Sequence, residues 1–421
     1  MIDAWEFLRS LDLTSIVLLF WFAILFEVPR FLIGALAVVV FAAGSLRRRA
    51  SSRQSLARPN VSVVVPCYNG ANEVGRTIES LREQSYPVQI IAVDDGSTDG
   101  TYHVLKDLHR KGMIDKFLPL SSRGGKSAAV NAALEQVETE LVLIVDGDTS
   151  FDRNAIEEII KPFDDPRVGL VSGNLGLRNP NKNLVTIFQA TEYLIGISLG
   201  RRIMALLDVL PIASGAFGAF RVAALAAVGA QDMEVGEDAD LATKLRRAGW
   251  RIAFAHKAWA LTDGPETVTG FIRQRLRWER GVVTIWLRKF AVNLNPFDGA
   301  FSLRNALTTI DVLLFQPVLS LLFIAYLIWL FWIAGAFAWI ILGATLFGYL
   351  AATVAMFIAA AMLTQREGSW NWLAYIPFYM AFNLVLQRPL RLIAYIDELA
   401  FRRSYRDPYV PSHVMNQVEM V

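Results

Sequence analysis

The sequence has little of three residue classes on which particular functions depend. Cys67 is the only cysteine among 421 residues, so an internal disulfide is excluded and a buried thiol is expected. The four histidines lie without ligand spacing, which disfavours a zinc site: His103, His109, His256 and His413. The net charge is only +2 and the 41 lysines and arginines are spread along the chain, so we expect no nucleic-acid partner.

Charged residues are also scarce, at 19% of the chain, whereas apolar residues reach 54% and the mean hydropathy is +0.38. These values indicate a membrane protein. Residues 1–46 hold two apolar stretches, which predict either one long kinked helix or two packed segments in the membrane. Residues 312–332 and 334–363 are long enough to span it. Basic residues at 47–58, including Arg47, Arg48, Arg49, Arg53 and Arg58, predict that this side faces the cytoplasm.

The last apolar segment, 372–399, carries Gln387, Arg388 and Arg391 in its middle. A third complete crossing would export the basic tail, against the positive-inside rule. We therefore expect a broken or re-entrant pair of segments, whose charges line a protein-filled or wet cavity.

Residues 60–265 differ completely from these flanks. Their β-branched runs predict buried strands, at 61–65, 88–93, 141–145 and 168–171. Amphipathic helical patterns alternate with the runs, which indicates an α/β domain around a mostly parallel sheet. Such sheets bind ligands at the carboxyl ends of their strands, and Asp95 and Asp146 both follow such ends.

Asp146 and Asp148 are candidate metal ligands. In extended chain, residues two apart project to one side, and hard carboxylate oxygens suit Mg²⁺ or Mn²⁺ carrying a diphosphate. An ordinary turn rich in aspartate and glycine is the alternative. The same alternative applies to Asp94-Asp95-Gly96-Ser97 after its strand.

A glycine-rich stretch, Arg123-Gly124-Gly125-Lys126, opens a helix of small residues. Helix N-termini and backbone N–H groups favour anions, so the stretch suits a phosphate, although a plain helix cap is equally consistent. The spacing of a P-loop is missing.

Glu237 and Asp238 stand before a predicted helix. They either complement its dipole or provide the general base that a single-displacement transfer to a hydroxyl requires. Further on, Gln274, Arg277 and Trp278 combine groups that suit an amide contact, a pyrophosphate and a sugar ring. Anchoring of a basic helix is the alternative. An apolar stripe at 282–290 favours a helix lying in the headgroup layer over a soluble amphipathic helix.

Together, in this order, these motifs resemble those of the membrane-integrated, processive family 2 glycosyltransferases, the synthases of cellulose, chitin, hyaluronan and poly-N-acetylglucosamine. The resemblance runs from about 60 to 281. It implies a GT-A fold, an α/β domain with a Rossmann-like mixed sheet, in the cytoplasm between N- and C-terminal transmembrane helices, with amphipathic interface helices.

The resemblance also implies roles for single residues. Asp95 would contact the uracil of a UDP-sugar, and Pro66, Tyr68 and Lys126 would line the nucleotide site. Asp146 and Asp148 match the DxD motif, with Asp148 as the direct ligand of Mg²⁺ or Mn²⁺ and Asp146 beside the nucleotide.

Asp238 matches the catalytic base at the end of the TED motif, next to Glu237. Gln274, Arg277 and Trp278 match QxxRW, in which the arginine holds the diphosphate and the tryptophan and glutamine face the acceptor. Residues 214–218, with Ser214 and Gly215, resemble the segment that shapes the acceptor end. One departure is Gly236, which replaces the threonine of TED.

The function expected from the resemblance is inverting, metal-dependent transfer of a hexose from UDP-N-acetylglucosamine or UDP-glucose to a growing β-linked polysaccharide, coupled to its export. The partners would be the donor, the polymer, the bilayer of a bacterial inner membrane and accessory membrane or periplasmic subunits. One alternative is a transferase that adds a single sugar to a polyprenyl phosphate or lipid-linked acceptor. The other is a transporter whose α/β domain only binds nucleotide sugar.

The expected organisation follows these motifs. The N-terminal membrane segment or segments (1–46) are followed by a basic linker (47–59) and the GT-A domain (60–265). Interface helices with QxxRW (266–300), a C-terminal transmembrane region (301–400) and a tail (401–421) complete the chain.

Overall fold

A computed structural model describes residues 4–48, 59–407 and 410–415, without the side chains of 45–48. The chain divides into two compact units. The helical unit comprises the described parts of Met1–Ser52 with Leu314–Leu392, and the sheet unit those of Arg53–Leu313 with Ile393–Val421. The basic side chains at 47–58, on which the predicted orientation depends, lie outside the described residues.

Long helices form the helical unit. The bounds of its helical segments are Ala4–Ser10, Leu13–Phe22, Ala23–Glu27, Val28–Arg48, Leu314–Val318, Leu319–Ala334, Gly335–Phe337, Ala338–Thr364, Ser369–Tyr375, Ile376–Phe382, Asn383–Gln387 and the start of Arg388–Phe401. Among the described residues, two helical stretches are long and apolar enough to cross a membrane, Leu13–Gly44 and Leu303–Thr364. The second stretch turns at Gly335, where φ is +52°.

The N-terminal apolar stretches form one continuous helix, so the first of the two predicted arrangements is correct. A π-helical segment, Ala23–Glu27, widens the helix close to the predicted kink. The Tyr326 hydroxyl donates a hydrogen bond to the Leu19 carbonyl at 2.7 Å, and its ring stacks on Phe22 with centroids 5.4 Å apart. Aromatic packing therefore holds this helix within its unit.

The last apolar segment is not broken, contrary to the prediction. Residues 376–401 are helical throughout, with a π-helical segment at Asn383–Gln387. Arg388 lies 3.6 Å from the Glu27 carboxylate and over the Phe323 ring at 5.0 Å from its centroid. A helix accommodates this cation because the unit itself supplies a counter-charge and an aromatic face.

One mixed sheet forms the centre of the sheet unit. Its eight described strands are Val61–Cys67 (β1), Gln89–Asp94 (β2), Lys116–Pro119 (β3), Leu141–Val145 (β4), Ser150–Phe151 (β5), Val168–Leu177 (β6), Phe217–Arg221 (β7) and Arg251–Thr262 (β8). The strand order is β3-β2-β1-β4-β7-β6-β8-β5. β1, β2, β3 and β4 pair in parallel, β7 is antiparallel to both its neighbours, and the sheet is less parallel than predicted.

Helices cover this sheet. The helical segments of the unit are Val74–Arg82, Thr101–Arg110, Lys126–Leu134, Ala155–Ile160, Lys161–Asp164, Leu184–Glu192, Tyr193–Gly200, Arg201–Leu206, Val222–Val228, Glu237–Arg247, Val268–Val282, Val283–Lys289, Ala291–Leu294, Leu303–Leu313, the end of Arg388–Phe401, Arg403–Arg406 and Ser412–Met415. All five residues of β4 are buried, as expected of a central strand covered on both faces.

The sheet topology brings several chain segments to one edge. β1 lies between β2 and β4 and is parallel to both, so Asp95 and Asp146 emerge at the same edge. β7 runs the opposite way and starts there, with Phe217 paired to Val145. The segment before β7, with Ser214 and Gly215, therefore reaches the same edge.

The apolar stripe at 282–290 packs inside the sheet unit. Val282, Val283, Trp286 and Phe290 are buried in a cluster that also contains Ala239, Val312 and Tyr395. Only Leu287 of the predicted stripe is largely exposed, at 42%. Packing within the protein, the alternative considered above, accounts for the stripe because these side chains are already removed from solvent.

A buried ion pair joins the end of the chain to the segment that carries the stripe. Glu398 is fully buried, and its carboxylate lies 2.6 Å from Arg288. The backbone N–H and the hydroxyl of Ser404 donate to the same carboxylate at 2.7 and 2.8 Å.

Glu398→Gln should lower the stability of the sheet unit strongly. The substitution leaves the Arg288 charge without its counter-ion, a loss that costs about 3–5 kcal/mol in buried pairs. The measurement is the apparent unfolding temperature of the purified protein in detergent. Glu138→Gln is the control: it removes a carboxylate paired to Lys116 at 2.8 Å but 82% exposed, which should cost about 0–1 kcal/mol. Equal unfolding temperatures for the two variants would contradict the prediction.

Candidate active site

Asp95 organises the glycine-rich loop. It is buried after β2, and its two carboxylate oxygens accept hydrogen bonds from the N–H groups of Gly124 and Gly125 at 2.7 and 2.8 Å. Burial raises the pKa of Asp95, and these two hydrogen bonds oppose the rise. Gly125 has φ of +87° and precedes the helix Lys126–Leu134, a conformation that favours glycine. The predicted glycine-rich helix entry is therefore present.

Lys126 connects three parts of the site. Its ammonium group lies 2.6 Å from the Asp146 carboxylate and 3.3 Å from that of Glu237, and it donates to the Gly215 carbonyl at 3.2 Å. The first residue of one helix thereby reaches the end of β4, the first turn of another helix and the segment before β7. Residues more than 100 positions apart in the sequence meet at one ammonium group.

Asp148 follows Asp146 and is exposed to solvent. Although part of the residue is in contact with solvent, neighbouring protein atoms reduce the solvation of its carboxylate. This loss of solvation, and next the charge of Asp146, raise the pKa of Asp148. The Arg178 guanidinium donates to the Asp148 carbonyl at 2.7 Å and pairs with Asp263 at 2.6 Å, which fixes the loop that carries both aspartates.

Glu237 and Asp238 occupy the first turn of the helix Glu237–Arg247, whereas the prediction placed them just before the helix. Glu237 is buried and Asp238 is half-buried. Asp238 accepts hydrogen bonds from the N–H groups of Ala239 at 2.9 Å and Gly215 at 3.3 Å. Loss of solvation, and next the charge of Glu237, raise the pKa of Asp238 to about 6. With this pKa the carboxylate is ionised at neutral pH and is basic enough to accept a proton.

Gly236 explains the departure from a threonine before this pair. Its φ is +98°, which side-chain-bearing residues rarely adopt. A Cβ at Gly236 would lie 3.7 Å from the Gly281 Cα, and one at Gly281 would lie 3.3 Å from the Val235 carbonyl oxygen. Gly281 thus allows the helix Val268–Val282 to approach the loop that precedes Glu237, whereas Gly236 is favoured by its backbone conformation.

Gln274, Arg277 and Trp278 lie on that same helix, Val268–Val282. Trp278 is 41% exposed, and the Gln274 side-chain oxygen is buried without a hydrogen-bond partner among the described residues. Arg275, between them, is buried, pairs with Glu192 at 2.8 Å and stacks over the Trp278 ring at 4.3 Å from its centroid. Arg275 therefore sets the orientation of the exposed indole.

Pro66 and Tyr68 lie at the end of β1. Pro66 pairs with Val93 of β2, and the ring of Tyr68, 39% exposed, lies under the Arg123 guanidinium at 4.1 Å from its centroid. Cys67, between them, is a buried free thiol as predicted.

Of the predicted residues, Asp95, Lys126, Asp146, Glu237, Asp238 and Gly215 form one connected network. Three further residues belong to this region and were missed by sequence reasoning: Arg178, Arg201 and Ser172. Ser172 lies inside β6, and each arginine is one among many, so no local pattern distinguishes them. Their positions depend on strand pairing, which a single sequence does not reveal.

The comparisons agree with this geometry. Residues 62–229 match Glycosyl transferase family 2. This part of the chain is therefore similar to family 2 glycosyltransferases, in agreement with the resemblance read from the motifs.

Among the relatives are poly-β-1,6-N-acetyl-D-glucosamine synthases of staphylococci. One from Staphylococcus epidermidis is 33% identical over 233 residues, which are 55% of this chain and 56% of the relative. One from Staphylococcus aureus is 28% identical over 267 residues, 63% and 62% of the two chains. The match therefore spans about three fifths of the length of these relatives.

A solved structure shares the fold. The mannosyltransferase PcManGT from Pyrobaculum calidifontis, determined in complex with GDP-Man and Mn²⁺, matches with a TM-score of 0.50 and 23% identity. The match covers 87% of this chain and 99% of that chain. The predicted GT-A fold is confirmed.

Asp95→Asn should loosen the glycine-rich loop and thereby weaken the binding of UDP that the sequence motifs predict for this site. The amide can accept from only one of the two glycine N–H groups, and a buried group left unpaired costs about 1–3 kcal/mol. We expect the dissociation constant for UDP, measured by titration calorimetry, to rise about tenfold. Asp107→Asn, on the exposed face of the helix Thr101–Arg110, should bind UDP like the unaltered protein. Equal affinities for all three proteins would count against this role of Asp95.

Proposed function

We propose that this protein transfers a hexose from a UDP-sugar, with inversion, to the end of a growing β-linked polysaccharide. The observation that carries the proposal is the position of Lys126. Its ammonium group lies within 3.3 Å of both Asp146, in the DxD motif, and Glu237, beside the candidate base. The donor end and the acceptor end of a transfer reaction are thereby adjacent.

At the donor end, Tyr68 and Pro66 would line the uracil site and Asp95 would contact the base while holding the loop. Arg277 would bind the diphosphate, because a guanidinium matches phosphate oxygens bidentately. At the acceptor end, Trp278 offers an exposed indole face to a sugar ring, and the unpartnered oxygen of Gln274 can accept from a hydroxyl.

A divalent metal fits the donor end. Within the described residues no group of three or more His, Cys, Asp or Glu side chains could hold one, so the protein offers the two carboxylates of Asp146 and Asp148. This donor set suits Mg²⁺ or Mn²⁺, which take carboxylates together with substrate phosphates and water. PcManGT, of the same fold, was solved with Mn²⁺. When bound, the metal would neutralise charge on the departing UDP.

Asp238 would act as the base at the acceptor end. It would take the proton of the acceptor hydroxyl as the oxygen attacks the anomeric carbon, which yields a β-linkage from an α-linked donor. Its pKa of about 6 leaves it ionised at neutral pH yet basic enough to accept a proton. The ion pair between Lys126 and Glu237 places one positive and one negative charge beside Asp238.

The relatives favour UDP-N-acetylglucosamine over UDP-glucose, because they are named poly-β-1,6-N-acetyl-D-glucosamine synthases. We propose further that the GT-A domain, 60–265, lies in the cytoplasm and that the apolar segments at 1–46 and 301–400 lie in the bilayer. Export of the polymer through those segments and accessory subunits complete the proposal.

The direct test is UDP release by the purified protein in nanodiscs, screened over UDP-N-acetylglucosamine, UDP-glucose, UDP-glucuronate and UDP-galactose, with sizing of the products. We expect turnover with UDP-N-acetylglucosamine, a ladder of products and loss of turnover when EDTA removes the metal. A single glycolipid product would replace the proposal by transfer to a lipid-linked acceptor. UDP-sugar binding without turnover would favour the transporter.

Asp238→Asn should reduce the transfer rate at least about 100-fold, because the amide cannot accept the proton. In the unaltered protein, the rate should fall as pH drops through about 6, where Asp238 becomes protonated, and level off above it. The measurement is UDP release against pH at saturating donor. Asp164→Asn, exposed on the segment Lys161–Asp164, is the control and should behave like the unaltered protein. Full transfer by Asp238→Asn would refute the base assignment.

A further inference from the structure

Arg201 is a half-buried cation near the site that no motif includes. It begins the helix Arg201–Leu206, directly after the π-helical segment Tyr193–Gly200. Its guanidinium donates to the Ser172 hydroxyl at 3.4 Å. Across the part of the chain that the structure describes, no carboxylate pairs with it within ion-pair distance. Loss of solvation lowers the pKa of Arg201, and the charge of Asp238 opposes this shift.

Three hydrogen bonds connect Arg201 to the segment that holds Asp238. Ser172 is fully buried in β6, and its hydroxyl oxygen, which receives the Arg201 bond, also accepts from the Ser214 N–H at 3.3 Å. The next residue, Gly215, donates its own N–H to the Asp238 carboxylate at 3.3 Å. A change at Arg201 is therefore transmitted through Ser172 to the donor that orients Asp238.

Arg201 is one of two cations whose charges favour the ionised form of Asp238. Glu237, on the same helix, disfavours ionisation of Asp238, and Lys126 and Arg201 favour it. Lys126 divides its charge between Glu237 and Asp146, at 3.3 and 2.6 Å. Among the described residues Arg201 has no ion-paired carboxylate, and its effect on Asp238 is smaller than that of Lys126.

We propose that Arg201 is a positioning residue for glycosyl transfer: it orients Asp238 through Ser172 and the Ser214–Gly215 segment. This inference rests on the proposed function, in which Asp238 accepts the proton of the acceptor hydroxyl. It assigns to Arg201 an effect on the base rather than on the donor, because its hydrogen bonds lead to the acceptor end.

The test compares Arg201→Met and Arg201→Lys by the pH dependence of UDP release. In Arg201→Met, the pH at which the rate falls on acidification should rise, since a cation that lowers the pKa of Asp238 is lost. The plateau rate should drop about tenfold or more, with the donor KM within about twofold of its unaltered value. Arg201→Lys keeps the charge but not the fork of donors, so it should restore the pH position and only part of the rate.

Arg202→Met is the matched control, because it removes a cation from the next position of the same helix. It should leave the pH profile unchanged. If Arg201→Met does not fold, Arg201→Gln replaces it, since the amide is neutral and can still donate to Ser172. An unchanged pH profile in the neutral Arg201 variant, with or without a lower rate, would overturn the proposal.

A second readout does not depend on turnover. The protonation of Asp238 can be followed by the infrared carboxyl band that disappears in Asp238→Asn, titrated in the intact protein. The midpoint should lie near 6 in the unaltered protein and higher in the neutral Arg201 variant. If no donor is turned over but this midpoint still moves, the proposed function fails while the link from Arg201 to Asp238 stands. If the midpoint does not move, the link is wrong.

Discussion

The arrangement of the site depends on one ammonium group, which forms ion pairs with two carboxylates. Lys126 lies 2.6 Å from Asp146 and 3.3 Å from Glu237, and Asp238 is adjacent to the latter. Without this cation, the carboxylates of β4 and of the helix Glu237–Arg247 would repel each other at short range, where protein screens charge weakly. Asp95 fixes the loop that precedes Lys126, so the arrangement of the acidic groups follows from a buried aspartate binding two backbone N–H groups.

A second constraint joins the helix of Trp278 to the helix of Asp238. Gly281 permits a close approach to the Val235 carbonyl, and farther along Lys289 lies 2.7 Å from the fully buried Asp240. The carboxylate of Asp232 lies 2.9 Å from the same lysine. Breaking a buried pair of this kind is costly because it leaves a charge without its partner. The two helices therefore form one rigid support for Asp238 and Trp278.

Most secondary structure around the site could be predicted from the sequence. The runs at 61–65 and 141–145 became β1 and β4, and the glycine-rich stretch became a helix entry. β3, β5, β7 and β8 were not predicted, because their residues lack a distinct alternating pattern. β7 pairs antiparallel with β4, which lies far away in the sequence, and β8 pairs in parallel with β6 in an irregular register. The stripe at 282–290 was assigned to the headgroup layer, since periodicity reports an apolar face but not what covers it.

The sequence by itself determined the family and the residue types of the site, because the DxD pair, Glu237-Asp238 and Gln274–Trp278 need only local order and spacing to be recognised. The tertiary structure decided which of these groups meet. It joined Lys126 to Asp146 and Glu237, gave Gly236 its left-handed conformation, and linked Arg201 through Ser172 to the backbone of Ser214. The physical reason is that charge interactions and hydrogen bonds act over a few ångströms in space, whereas these residues are separated by tens of positions in the chain.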